Sequence, residues 1–434
     1  MRPTLIDLND VELRITRGTD ELARSPGYAT LVNQKVEIGD KGFAHAWLLP
    51  RQSYNRYWQA LNTAPLTQLG KRVRHAGDLA YLHLELLRER GGRPSDAIFI
   101  VPSTYHRAQL SLLLGIAQAA GLTVKGLVDS AVAVGAILPP GHYTHVEASL
   151  YHTNVTQIRV DDRRALRTHT EVVPDTGISH FEQRIISCIV EAFLRGCRFD
   201  ALHDAATEQL LHTHLSEWLA LLAERPEITV SLEYRGARHE ARLHRDSLAA
   251  AIAPLRRALS ARVGAGIALL DYRLGGLPGI TFEWPTAQIL PAHAALTGCT
   301  YSPELHTVTG GGATLRTELA VVPVESRFVP VQAQCLMTQG ATHLLVQHVA
   351  YPLSTLALHL TARGTVLHAP SADSVGSVVL DGAGARLEVA RGATLMLNGQ
   401  RVTGSARLAP GDHLSVAGAA CVFVPITVRD DDAI

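Results

Sequence analysis

The sequence predicts an α/β body followed by an all-β sandwich. Three observations carry that expectation. Buried strands alternate with helices between residues 97 and 138, two long helical stretches follow, and after about residue 343 helical periodicity gives way to short strands between turn signals. A chain of 434 residues corresponds to about three domain-sized units. Apolar residues make up 47%, enough for several cores, and aromatics only 5%, so those cores are expected to rest on Leu, Val and Ala.

Taken in order, Thr4–Leu8 and Val11–Ile15 read as two short strands. Residues 79–90 place Leu79, Leu82 and Leu86 on one helical face, stopped by Gly91-Gly92. Ala97–Val101 is a continuous apolar strand closed by Pro102. A helix from about Tyr105 to Ala120, a strand at Thr123–Val128 and a small-residue helix at Ala131–Leu138 complete an α/β layer with parallel pairing. His145–Leu150 and Asn154–Val160 suggest a hairpin, and long helices are expected at 178–196 and 204–224. A second hairpin, Ile228–Tyr234 and Ala237–Leu243, turns at Arg235-Gly236. Asp246 is expected to cap a helix running to about Val263. A buried strand at Gly266–Asp271 enters the loop Leu274–Gly279, and Thr314–Pro323 alternates like a strand after the flexible turn Gly310-Gly311-Gly312. These readings place two lobes at 1–140 and 141–325, a linker at 326–342 and the β-module at 343–434.

Forty Lys+Arg balance forty Asp+Glu. That leaves no basic field to draw in nucleic acid or anionic lipid. The longest apolar run, Ala131–Leu138, is far short of a membrane span, and the first ten residues carry two acids and no apolar signal core. A soluble, cytoplasmic protein without nucleic-acid or membrane partners is the expectation. The five cysteines (Cys188, Cys197, Cys299, Cys335, Cys421) are dispersed, which argues against a disulfide framework. The histidines, His212 and His214 or His239 and His244 for example, lack metal-ligand spacing, so no metal is expected.

The stretch from Ile98 to Ala136 resembles the DnaK-type heat-shock chaperones. Val101-Pro102, Ala108-Gln109, Ala120-Gly121-Leu122, Asp129 and Ala133 occupy the family's places, and Asp175-Thr176-Gly177 with Phe181 and Arg184 looks like its D-T-x-x-G-G-x-x-F-D-x-R stretch. The resemblance covers roughly residues 3–320. It implies an actin-like, ribonuclease-H-like fold of two lobes that binds ATP-Mg between two glycine-rich hairpins. This chain departs at those hairpins. Where the family has D-L-G-T-T it has Asp7-Leu8-Asn9-Asp10-Val11, with Asp10 set where a phosphate belongs. Where the family has D-L-G-G-G-T it has Glu147-Ala148-Ser149-Leu150-Tyr151-His152, whose Leu150 and Tyr151 fill the phosphate space. The adenosine-side E-x-x-K-R becomes Glu217–Leu221 without cations, and G-G-S-T-R-I-P becomes Tyr272–Pro278 with Gly275 and Gly276 displaced.

Residues 343–428 resemble a forkhead-associated domain, a phosphothreonine reader, in His343–Leu353 and Leu397–Val416, but lack its Gly-Arg pair and its His. Arg363 and Arg401, with Arg386, are the candidates for phosphate contact there.

The resemblances imply a catalytically impaired pseudo-ATPase without cofactor. It would act as a scaffold or regulatory subunit for other proteins, such as a second actin-like or chaperone-like subunit. Asp7, Asn9, Asp10, Asp129, Glu147, Ser149, Gly275 and Gly276 mark its vestigial nucleotide site. The alternatives are an atypical chaperone that binds ATP with Mg through Asp7, Asp129 and Leu274–Gly279, and a phosphopeptide adaptor.

Overall fold

The computed structural model describes residues 2–323, 328 and 343–426, apart from 67–72, 264–266, 283, 285–286, 307–313, 347–348, 354–356, 362–364, 368, 382–383, 398–399, 409–411, 413 and 417–421. The Gly310–Gly312 turn, Arg363, Cys335 and Cys421 lie outside the described residues. The chain divides into two compact units, Met1–Val329 and Pro330–Ile434. Among the described residues no helix is long and apolar enough to cross a membrane.

The first half of the larger unit runs β1 (Thr4–Asp7), β2 (Leu13–Arg17), β3 (Asp20–Ser25), β4 (Ala29–Val32), β5 (Lys35–Ile38), α1 (Asp40–Phe43), β6 (Ser53–Tyr54), α2 (Ala76–Arg90), β7 (Asp96–Val101), α3 (Arg107–Ala119), β8 (Thr123–Asp129) and α4 (Ser130–Gly135). The second half runs β9 (Gly141–Ala148), β10 (His152–Val160), β11 (Arg164–Pro174), α5 (Ile178–Cys197), α6 (Ala205–Glu224), β12 (Glu227–Tyr234), β13 (Ala237–His244), α7 (Arg245–Ala251), α8 (Ala253–Ser260), β14 (Ile267–Leu270), α9 (Tyr272–Gly275), β15 (Gln288–Ile289), α10 (Ala294–Tyr301), α11 (Pro303–His306), β16 (Leu315–Arg316) and β17 (Glu318–Ala320).

Two six-stranded mixed sheets result, in the orders β16-β8-β7-β1-β2-β3 and β15-β14-β9-β10-β11-β17. In each, a three-strand antiparallel meander (β1-β2-β3 and β9-β10-β11) continues through its first strand into parallel neighbours. The sequence shows no internal repeat, yet the topology repeats. Helices α2 and α3 cover one face of the first sheet, α5 shares one core with the second, and α6 packs against β12 of the β12–β13 hairpin. The remaining faces share a central core in which α4 packs against Leu5, Ile98 and Ile100 of one sheet and Tyr143, Ile158 and Leu269 of the other. There α10 crosses α4 so closely that a Cβ on Gly298 would lie 1.9 Å from the Ala133 carbonyl oxygen.

Local chemistry explains several boundaries. His106 and Gln109 form a capping box at the start of α3, and the Asp129 carboxylate caps α4. Arg235 and Gly236, both at positive φ, turn the β12–β13 hairpin. Three expectations are corrected. The hairpin expected at 145–160 is a three-strand meander, since Arg164–Pro174 adds an eleven-residue strand. Asp246 lies inside the first turn of α7 and does not cap it, and the helix expected to reach Val263 breaks at Ile252, ahead of Pro254. Thr314–Pro323 supplies two short strands, which join different sheets.

In the smaller unit the chain continues as β18 (His343–Val346), β19 (Val349–Pro352), β20 (Leu358–Thr361), β21 (Val366–Leu367), β22 (Ser374–Asp381), β23 (Gly384–Val389), β24 (Leu395–Leu397), β25 (Gln400–Val402), β26 (Ser405–Arg407), β27 (Leu414–Val416) and β28 (Val422–Ile426). They form two antiparallel sheets, β19-β18-β28-β27-β24-β25 and β21-β20-β22-β23-β26. Leu344, Leu360, Val378, Leu387, Leu395 and Leu414 from both sheets make one core.

Candidate functional site

The turn after β1 and the turn between β9 and β10 meet where the two sheets of the larger unit face one another. Asn9 bridges them: its Oδ1 accepts the Val11 N–H (3.1 Å), while its Nδ2 donates to the Ala148 carbonyl (3.0 Å) and more weakly to Glu147 Oε1 (3.4 Å). Asp10 Oδ1 accepts the Leu150 backbone N–H at 2.8 Å. Burial pushes the Asp10 carboxyl up to about 6 against the pull of that bond. Leu150, expected to fill phosphate space with its bulk, packs against Tyr28 and Ala46 instead, and the anion beside its N–H is the Asp10 carboxylate. The first N–H groups of α5, ordinarily available to an anion, bind the carbonyls of Ser149 (from Ile178) and Leu150 (from Ser179), both at 2.9 Å. Only glycine at 177 permits this approach, because a Cβ there would stand 2.4 Å from Leu150 O and Tyr151 N.

Behind these turns lies a buried charge cluster. Asp7, at the end of β1, receives Arg14 Nη2 at 2.7 Å and Arg273 Nη2 at 2.9 Å. Arg273 also pairs with Asp271 at 3.1 Å, and Arg14 donates to the Ala292 carbonyl at 2.7 Å. Both arginine side chains are 4% exposed. Burial raises the Asp7 pKa, but the two guanidinium groups outweigh it and leave the carboxyl below its ordinary value. Glu147, a neighbour of this cluster, is pushed up to about 8 by burial first and then by repulsion from Asp271 and Asp7. It is therefore held mostly protonated at neutral pH, accepting the Ser130 hydroxyl at 2.8 Å. Burial also holds His145 near 4 and so neutral. The free space among these groups is 10 Å³, about room for one water.

Asp129 is fully buried and fully used. It accepts from Ser103 (2.9 Å), Arg167 (2.6 Å) and the N–H groups of Ala131 and Val132. Its carboxyl sits above the ordinary range through burial, with Arg167 opposing. It works as a helix cap tied to β11. Ser149 lines a separate 260 Å³ cavity with Asp10, Gln59, Tyr105, His106 and His152. Gly275 and Gly276 stand apart from the acids, at a 290 Å³ pocket walled by Leu219, Leu222, Pro278 and Phe282. The structure thus brings together Asp7, Asn9, Asp10 and Glu147, joined to Asp129 through the adjacent Ser130, and leaves the glycines outside. Sequence reasoning missed Arg14, Asp271 and Arg273. Asp-x-Arg directly after an apolar strand was the available signal.

These groups do not fit a nucleotide with Mg²⁺. Asp7, the metal carboxylate that the resemblance implies, already holds two guanidinium groups, and the N–H groups of Leu150, Ile178 and Ser179 already have acceptors. Among the described residues no three His, Cys, Asp or Glu side chains are arranged to hold a metal ion. In the smaller unit, Arg401 on β25 is exposed and donates to Thr394 Oγ1 (3.2 Å), while Arg386 on β23 pairs with Glu388 (3.0 Å). They belong to different sheets. No family model matches the chain, and no curated protein matches it.

Proposed function

We propose that residues 1–329 form a non-catalytic pseudo-ATPase of actin-like, DnaK-like type, and that the chain acts as a cytoplasmic scaffold or regulatory subunit that binds other proteins. One observation carries the reading. Arg273 and Arg14 pair with Asp7, and Asp10 accepts the Leu150 N–H; on this reading they stand in for a metal cation and a phosphate. The repeated sheet topology and the central helices α4 and α10 support the actin-like part. With these buried charges paired from within, the reading assigns the chain a surface for a partner such as a second actin-like subunit in place of a bound nucleotide.

The test is thermal unfolding and calorimetry of the full chain with ATP-Mg, ADP-Mg and AMP. A ligand at about one hundred times its Kd would add roughly 2.7 kcal/mol, readable as several degrees. No shift at millimolar nucleotide is expected. Saturable stabilisation by ATP-Mg would overturn the reading and favour the ATP-binding alternative.

A further inference from the structure

Away from the charge cluster, a cavity of 410 Å³ opens between the segment after β4 and the helices α5 and α6. Its walls are aromatic and its chemistry acidic. The Trp47 indole stacks on the His212 imidazole with centroids 3.6 Å apart, and Tyr28 lies against Trp47 at 5.7 Å. Gln209 of α6 fixes this wall, since its Oε1 accepts the Trp47 backbone N–H and its Nε2 donates to the Phe43 carbonyl, each at 3.1 Å. Tyr151 closes another side, held by its hydroxyl on Asn55.

Into the same space come Glu182 from α5 and Glu208 from α6. Neither carboxylate has a hydrogen bond or an ion pair among the described residues, and burial pushes Glu182 up to about 7. The nearby cation, Arg56, lies over the Tyr151 ring at 3.5 Å and reaches neither acid. Burial lowers His212 to about 4, so its ring is a neutral wall. Two unpaired carboxylates between preorganised aromatic faces form a complement for an organic cation, whose N–H groups the acids accept and whose charge and methylenes the rings cover.

We propose that this cavity binds a primary alkylammonium group, with the ammonium on Glu182 and Glu208 and the alkyl chain along Trp47, Tyr28 and Tyr151. The site is independent of the pseudo-ATPase reading, since it uses none of the cleft's charged residues.

The experiment is calorimetry on the full chain, with tryptophan fluorescence in parallel, using hexylamine, its neutral counterpart hexan-1-ol, spermidine and N-acetyl-lysine methylamide. Hexylamine should bind saturably and hexan-1-ol at least tenfold more weakly. Glu182→Gln should weaken hexylamine about tenfold, with Glu208→Gln as the second variant if the first fails to fold. Tighter binding of spermidine than of the lysine amide would support the site and identify a free polyamine as its ligand, and the reverse order would support it with a protein's lysine. Equal binding of amine and alcohol, no saturation by any amine at millimolar concentration, or unchanged affinity in the folded glutamine variants would overturn the proposal.

Discussion

Replacing Arg273 with Met keeps most of the side chain's volume and removes its charge. The guanidinium makes ion pairs with Asp7 (2.9 Å) and Asp271 (3.1 Å) and a hydrogen bond to the Glu12 carbonyl (3.2 Å), in a space with room for about one water. Asp7 keeps Arg14 at 2.7 Å, whereas Asp271 loses its ion-pair partner. Removing one partner of a buried pair costs about 3–5 kcal/mol, much of it the burden of the charge left behind. At about 2–4 °C per kcal/mol, the Tm should fall by roughly 6–20 °C.

The sign of the pH dependence follows from Asp7. In the wild type its depressed pKa contributes stability that is present above the unfolded value of 3.8 and lost as pH falls through the folded one. Arg273 lowers the pKa of both Asp7 and Glu147, so without it those folded values rise and the two carboxylates oppose folding more as pH increases. The deficit should therefore be larger near about pH 8 than near about pH 5, and adding Asp271→Asn should recover part of it. Guanidinium denaturation followed by circular dichroism at both pH values measures this. A loss below about 1 kcal/mol with no pH dependence would refute the argument that Arg273 balances buried acids.

Other substitutions probe the same region. The raised pKa of Glu147, about 8, makes wild-type stability fall as pH climbs from its unfolded value of 4.5. Glu147→Gln should remove that slope, nearly neutral near about pH 5 and stabilising by a few kcal/mol near about pH 8, as denaturation at the two pH values would read. Asp10→Ala leaves the Leu150 N–H buried without its acceptor and should cost about 1–3 kcal/mol, with faster hydrogen exchange at that amide. Asp10→Asn keeps the acceptor and should leave exchange close to wild type. Gly177→Ala forces a Cβ to within 2.4 Å of the turn's backbone and should lower stability by about 1–3 kcal/mol or more on the same denaturation assay.

The elements legible in the sequence were those with local punctuation. The glycines after Arg90, Pro102 and Gly121 bound a strand and two helices whose ends the structure places within a few residues of expectation. Arg164–Pro174 was not legible because β17 pairs only with Arg164–Leu166 and polar residues face both ways along the rest, blurring the alternation that marks a half-buried strand. Asp7, Asp10 and Glu147 were singled out through resemblance, and the structure sets the Asp10 carboxyl on the Leu150 N–H. Their partners were hidden. An arginine in a strand such as L-R-I-T-R reads as surface, and only long-range packing reveals that Arg14 is buried against an acid seven residues earlier and a guanidinium more than 250 residues later in the chain. The aromatic cavity was missed for the same reason, since Tyr28, Trp47, Tyr151 and His212 share no local pattern.

The crossing at Thr317 bears on how the molecule can be dissected. Leu315–Arg316 pairs with β8 of the first sheet, Glu318–Ala320 pairs with β11 of the second, and the carbonyl of the residue between them accepts the Arg167 N–H at 3.1 Å. Six consecutive residues thus close one edge on each sheet at once. A truncation ending before Leu315 would bare both edges together and invite strand addition from neighbouring chains. The two sheets of the larger unit are therefore not separable expression units. A deletion series should lose solubility abruptly between residues 320 and 314, and a nick in this stretch would unzip both sheets together.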